Sequence, residues 1–249
     1  MLSWFIDRDL IMANRPTDEQ LRRLHYKKGK EALICYSWRN ALRALSFIGE
    51  TPIEQIWPDK TVYRVFSVCR ALVNSYALVI ARNGAIDARS IAHQTAYAAA
   101  RAIDGVPRVP RAAQAVAYAD GDYTTEASAV GSADITARDA ALAAGTLSGV
   151  VNAAALRDFD CLSNKSNAHD ILRESLWFDN EPEDIKQWQK QFIDDLTKHG
   201  LVTLAKDIET LWLGKHIGEH LTYYFNEATE AELQTPEDIE RLLSGKDKP

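Results

Sequence analysis

The sequence predicts an all-α fold, a multi-helix bundle of about nine or ten helices, and three observations lead there. Apolar residues recur at spacings of three and four along most of the chain, which gathers them on one face of a 3.6-residue helix. No run between turn signals alternates with period two as a half-buried strand would. Between Ala85 and Ala155 about every third residue is alanine. Alanine has the highest helix propensity and a side chain small enough to let helices approach closely, so an alanine-rich central layer is expected.

The elements follow in order. Thr17-Asp18-Glu19-Gln20 has the form of a capping box, in which the Thr hydroxyl accepts from an amide three residues on and the Gln side chain reaches back. A helix should start near Asp18, with a break at Gly29, and continue through Leu33, Cys35, Ala41, Leu42 and Leu45 until Gly49 and Pro52 end it. Asp59 can cap the next helix, whose apolar stripe runs from Val62 through Phe66, Cys69, Val73 and Ile80 to a stop at Asn83-Gly84. Asp87 opens an alanine-rich helix to about Asp104, and Gly105–Pro110 breaks it because proline lacks the amide donor. A short helix Arg111–Ala119 follows. Gly121 and Gly131 bracket a polar turn region, and Ala133–Phe159 is helical again, with Gly145 and Gly149 either weakening it or marking close helix contacts. Ser166 or Asn167 can cap a segment to Leu176. Pro182-Glu183-Asp184 reads as a helix first turn, His199-Gly200 as its end, and Leu201 to Trp212 as another amphipathic stripe. Thr235-Pro236-Glu237-Asp238 starts a last helix that Gly245 closes, before a mobile tail, Lys246 to Pro249.

With 249 residues and 46% apolar content the chain can bury a substantial core, and residues 1–249 are read as one helical domain. Its sub-parts are an alanine-rich core, 1–157, and an acidic part, 158–249. Net charge is -6 and unevenly spread. Arg22, Arg23, Lys27, Lys28 and Lys30 make the first fifty residues basic, whereas acids outnumber bases about two to one from Asp158 onward. The basic run reads as a solvated helix face, or as a patch for an anionic partner. The acidic part suits a protein partner with a basic surface and disfavours nucleic acid. Cys35, Cys69 and Cys161 are widely spaced, with no CxxC or Cys/His ligand set, and fit a reducing, cytoplasmic setting. Met1–Met12 lacks the basic start of an export signal, and the longest apolar stretch, Ala71–Ala81, is too short and polar to span a bilayer.

No P-loop, dinucleotide fingerprint or nucleophile elbow is present in the sequence, and no cofactor is expected. His216-Ile217-Gly218-Glu219-His220 matches H-x-x-E-H. On a helix His216 and His220 would stand one turn apart and could share a metal, with Glu219 as base, giving a metal-dependent hydrolase as a competing reading. Gly214 and Gly218 weaken the helix that this needs. His93 on the alanine helix reads as a satisfied boundary residue. Tryptophan is concentrated in the acidic part, at Trp177, Trp188 and Trp212. Acid plus tryptophan on one surface suits an inhibitor that covers a basic cleft, with Trp177, Asp179, Glu181, Glu183, Asp184 and Trp188 as contacts.

Three stretches, Tyr36–Leu45, Ala92–Arg101 and Leu176–Trp188, together resemble alanine-rich helical proteins of bacterial conflict systems, some of which are small cytoplasmic immunity proteins that neutralise a toxin. The resemblance implies a non-enzymatic inhibitor acting by occlusion, and carries over no individual functional residue. A regulatory module that oligomerises through the alanine layer is a further alternative, and the oligomeric state is left open.

Overall fold

A computed structural model describes residues 15–80, 126–164, 168–178, 181–217, 219–225, 228 and 230–245. Among these residues there are nine α-helices and no strand, and the fold is all-α. The helices are α1 (Asp18–Lys28), α2 (Lys30–Ser46), α3 (Ile53–Ile56), α4 (Thr61–Ile80), α5 (Glu126–Ala143), α6 (Ser148–Asn164), α7 (Glu183–Lys198), α8 (Val202–Trp212) and α9 (Pro236–Leu243). Tight 3-10 turns at Phe47–Glu50, Gly145–Leu147, Ala168–Arg173, Glu219–Phe225 and Glu230–Glu232 stand between them. None of the helices is long and apolar enough to cross a membrane. The segment Met1–Met12, the Asn83-Gly84 stop, the helices expected at Asp87–Asp104 and Arg111–Ala119 with the break between them, His93, Gly121, the Ser166 or Asn167 cap, Asp179 and the tail from Lys246 lie outside the described residues.

The capping box at Thr17 forms as the spacing requires. Thr17 Oγ1 accepts from the Gln20 amide at 3.3 Å, and Gln20 Oε1 accepts from the Thr17 amide at 2.8 Å. Gly29, at φ 80°, separates α1 from α2. An L side chain rarely adopts that conformation, so glycine is the residue that lets the chain turn there.

Helix α2 is the centre of the molecule. Every residue from Ala32 to Ser46 is buried, with α1, α4, α5, α6, α7 and the Ala168–Arg173 turn packed around it. A helix covered on all sides should be apolar on all sides. This one also encloses Arg39, Asn40 and Arg43, at 1%, 0% and 0% exposure.

Helix α5 lies along α2 and buries Ala129, Ala133, Ala137 and Ala141, spaced four apart on one stripe. That stripe is covered within the chain, so it offers no face for self-association. The polar turn expected up to Gly131 is instead part of α5. A helical glycine costs only about 1 kcal/mol, less than the gain from burying Ala129, Val130 and Ala133 beside it. Gly145, at φ 55°, interrupts the expected Ala133–Phe159 helix. A Cβ added at Gly145 or Gly149 would meet nothing within 4 Å, so neither marks a close helix contact. Likewise α4 begins at Thr61 behind Lys60, itself at φ 59°, so Asp59 stands one residue ahead of the cap position expected for it.

Helices α7 and α8 form an antiparallel hairpin. The Leu201 amide donates to Leu196 O at 2.9 Å and the Gly200 amide to Thr197 O at 3.0 Å, the paired bonds of a Schellman turn. Two carboxylates finish other helix starts. Asp195 Oδ2 accepts from the Ile53 amide at 3.2 Å, and Glu240 on α9 accepts from both the amide and the hydroxyl of Thr203, at 2.9 and 2.6 Å. Each satisfies amides that a helix N-terminus leaves open.

The turn before α7 differs most from expectation. A helical segment running to Leu176 is replaced by the 3-10 turn Ala168–Arg173 and an irregular stretch behind it. Its carbonyls point inward. Arg39 donates to Ile171 O at 2.8 Å, Glu174 O at 3.0 Å and Ser175 O at 2.9 Å. Arg43 donates to Leu176 O through Nε at 3.1 Å and Nη2 at 2.7 Å. Ile171 O accepts from the Glu174 amide as well, at 3.1 Å, so the turn keeps a backbone bond while its carbonyls serve the arginines.

Candidate functional site

The outer face of the α7–α8 hairpin is open. Between the two helices lies a groove of about 450 Å³, lined by Lys186, Gln189, Lys190, Ile193, Asp194, Glu209, Trp212 and Leu213. The amphipathic spacing of α7 creates it: Ile185, Phe192 and Leu196 face the core, while Ile193 lies at the edge. Leu213, just past the end of α8, is 58% exposed. Trp212 turns its ring inward, in edge contact with Phe192, and donates Nε1–H to Leu42 O at 3.3 Å. The groove therefore has an apolar floor on a rigid support, with charged side chains at its rim, the usual composition of a contact surface.

Of the acidic residues read from the sequence, Glu183 and Glu181 adjoin this groove, through its lining residues Lys186 and Gln189, whereas Asp184 lies on the other side of α7. Glu183 and Asp184 are exposed in the first turn of α7, where the helix dipole favours acids. Glu183 lies 3.4 Å from Lys186 on the groove rim. Glu181 is half-buried; burial pushes its carboxyl above the ordinary value, opposed by a hydrogen bond from Gln189. Trp188 is half-buried, its ring edge-on to Phe47 at 5.8 Å. One expected contact is corrected. Trp177 is 4% exposed and belongs to the core, packed between Phe47 and the Arg43 guanidinium. It can support a surface but cannot anchor a partner directly.

The histidine cluster is arranged differently from a helical metal site. His216 stands in the non-helical stretch before the 3-10 turn Glu219–Phe225, so it does not share an α-helix with His220. Its Nδ1 is hydrogen-bonded to the Tyr76 hydroxyl on α4. The side chains of Glu219 and His220 lie outside the described residues. Among the described residues no three His, Cys, Asp or Glu side chains are grouped as metal ligands.

The strongest electrostatic feature is internal. Asp158 on α6 reaches between the two arginines of α2, 2.9 Å from Arg39 Nε and 2.6 Å from Arg43 Nη1, with all three side chains at most 1% exposed. One carboxylate faces two guanidinium groups. The excess positive charge is met by the carbonyl oxygens of residues 171–176 and by the ring faces of Phe178 and Trp177, at 5.6 and 5.7 Å. Arg157 lies over Phe178 at 4.1 Å. The network thus fixes the strand of chain that leads into the acidic edge. The Cys35 thiol beside it is pushed up to about 12 by burial, and it and Cys69 are core residues without thiolate character.

On the far side of the hairpin, Lys198 donates to Glu54 Oε1 at 2.8 Å and His199 lies 3.4 Å from Oε2. The Lys198 bond, with the backbone amide of Glu54 and His199, holds the Glu54 carboxyl down to about 2. A carboxyl depressed on folding stabilises the protein above its unfolded value and stops doing so as pH falls through the folded one. The difference in urea midpoint between the protein and Glu54→Gln is therefore expected to be small and constant above about pH 5, and to close between pH 4.5 and about 2. A difference undiminished at the bottom of that window would show that the pair adds nothing through ionisation.

Comparison with protein-family models, with curated proteins and with solved structures returns no match.

Proposed function

We propose that the chain is a non-enzymatic binding protein of the immunity type, which neutralises a protein partner with a basic surface by covering it. The supporting observation is the continuity of the open α7–α8 groove with the acidic start of α7. Apolar Ile193 and Leu213, over a floor that Trp212 closes from the core side, supply the contact that holds. Glu181 and Glu183 beside the groove and Asp184 in the same first turn supply the charge that steers and orients, and Trp188, packed on Phe47, extends the surface on the Asp184 side. The site stands on a helical hairpin keyed into the core, so it is formed before the partner arrives and little ordering cost attends binding.

A photo-crosslinking residue placed at position 213 in the native cell tests this, with one at position 202, also exposed on α8, as the comparison. A discrete adduct is expected from 213. Its yield should fall in Glu183→Gln/Asp184→Asn and fall further with added salt. The captured protein, expressed alone, should arrest growth, and co-expression of this chain should relieve the arrest. Equal adducts from both positions, or a yield indifferent to charge and salt, would place the interface elsewhere.

A further inference from the structure

The α7–α8 groove has a direction. Lys186, Gln189, Lys190, Ile193 and Asp194 recur at spacings of three and four, so they share one face of α7. At 1.5 Å per residue, Lys186 and Asp194 stand roughly 12 Å apart along it. Helix α8 returns antiparallel through the turn at Leu196–Leu201, so Leu213 lies toward the Lys186 end and Glu209 toward the Asp194 end. The groove thus carries two lysines at one end and two carboxylates at the other. Lys186 shares Glu183, but both are exposed and such a pair is weak. Lys190, Asp194 and Glu209 have no ion pair among the described residues.

For α7 itself this order is the unfavourable one. A helix favours acids at its N-terminus and bases at its C-terminus, yet Lys186 stands in the first turn and Asp194 just before the last. Glu209 is likewise in the last turn of α8. The same charges suit a third helix laid in the groove and running opposite to α7. Its open amides would meet Asp194 and Glu209, and its open carbonyls Lys186 and Lys190.

Other ways of holding a peptide lack their parts here. Strand addition needs a sheet edge, and there is no strand among the described residues. A polyproline segment needs exposed aromatic ridges, and Trp212 is 7% exposed. A phosphorylated segment needs an arginine cluster, and no arginine is among the lining residues. Apolar anchors at i, i+3, i+4 and i+7 of a helix span about 10 Å, which matches the length of the groove.

We infer that the groove takes an amphipathic α-helix of the protein partner, antiparallel to α7, with its first turn at Asp194 and Glu209 and its last turn at Lys186 and Lys190. This rests on the binding reading above and adds the form and direction of the partner's contact. Chain beyond the last turn passes Glu181 and Glu183, so basic residues belong there.

The probe is a stapled helical peptide of about four turns, with leucines at i, i+3, i+4 and i+7 and lysines at its C-terminus. A peptide of the same residues, scrambled so that no stripe forms, is the comparison. Titration of the full chain, followed by amide correlation spectra, reads both affinity and place. The striped peptide is expected to bind at least tenfold more tightly than the scrambled one. Leu213→Asp should weaken it about tenfold, whereas Val202→Asp, at an exposed position of α8 outside the groove, should not. Lys190→Glu/Asp194→Lys, which reverses the polarity of the groove, should weaken it about fivefold. A spin label at the peptide's N-terminus should broaden the amide signals of Asp194 and Glu209, and one at its C-terminus those of Lys186 and Leu213. Broadening in the opposite order, equal binding of the two peptides, or no binding at millimolar concentration would overturn the inference. An adduct at position 213 in the cell without peptide binding would sink the helix and spare the surface; peptide binding without an adduct would do the converse.

Discussion

Replacing Asp158 by asparagine should destabilise the protein by about 3–5 kcal/mol, because it leaves two buried guanidinium groups without a counter-charge. In the native fold the carboxylate lies within 3 Å of both Arg39 and Arg43, in a region where all three side chains are almost wholly excluded from water. Carbonyl dipoles and ring faces share out one surplus charge, not two. For a chain of this size the loss corresponds to roughly 10 °C in melting temperature. Arg43→Met is expected to be harmful alone, since Asn40 Oδ1 and Leu176 O each lose a donor. Combined with Asp158→Asn, the two losses should fall short of their sum by about 1–3 kcal/mol, as for any pair sharing one network. Strictly additive melting temperatures would mean that the charges are screened by water and not by each other.

Gly49→Ala should be nearly as damaging, for a purely steric reason. A Cβ at this position would lie 1.8 Å from Trp188 O and 3.2 Å from Phe192 Cβ. The obstacle is the backbone of α7, which cannot rotate aside. Either the Phe47–Glu50 turn or the whole hairpin must move, at a cost of about 3 kcal/mol. Gly131→Ala makes the instructive contrast. Nothing lies within 4 Å of its added methyl, the residue is already helical, and the change should stabilise by about 0.5–1 kcal/mol. Thermal melts of the two variants should therefore move in opposite directions; movement in the same direction would refute the close approach at Gly49.

Helix positions were legible wherever local chemistry decides them. Thr17 shows its capping box in four residues and Thr235 its helix start, and both form boxes in the fold. The stripes Ile185–Leu196 and Leu201–Trp212 face inward as their spacing requires. What local pattern could not show is where a side chain goes when its partner is distant. Arg39 and Arg43 look like ordinary helical arginines, and their partners lie 119 to 136 residues further on. The polar residues Arg39, Asn40 and Arg43 gather on one side of α2, which reads in sequence as a solvated face; only the assembled fold shows that side covered and its arginines in need of a counter-charge. Trp177 was read as a surface anchor because acids flank it in sequence. It is in the core because the same arginines draw residues 171–176 inward and carry the indole with them. Ile193 was read as part of the inward stripe of α7 and Leu213 was not singled out, because which apolar residue ends at the edge is a property of the assembled hairpin, not of its sequence.

The inward-facing carbonyls of residues 171–176 bear on how the chain matures during synthesis. Helix α2 is translated before the groups that satisfy its arginines, Asp158 and the carbonyls ending at Leu176, which emerge more than a hundred residues later. Until then the helix has no dry place to settle, and premature collapse of the first half is discouraged by the solvation of two cations. The two cations can therefore be satisfied in the native way only after the segment that closes the circuit has left the ribosome.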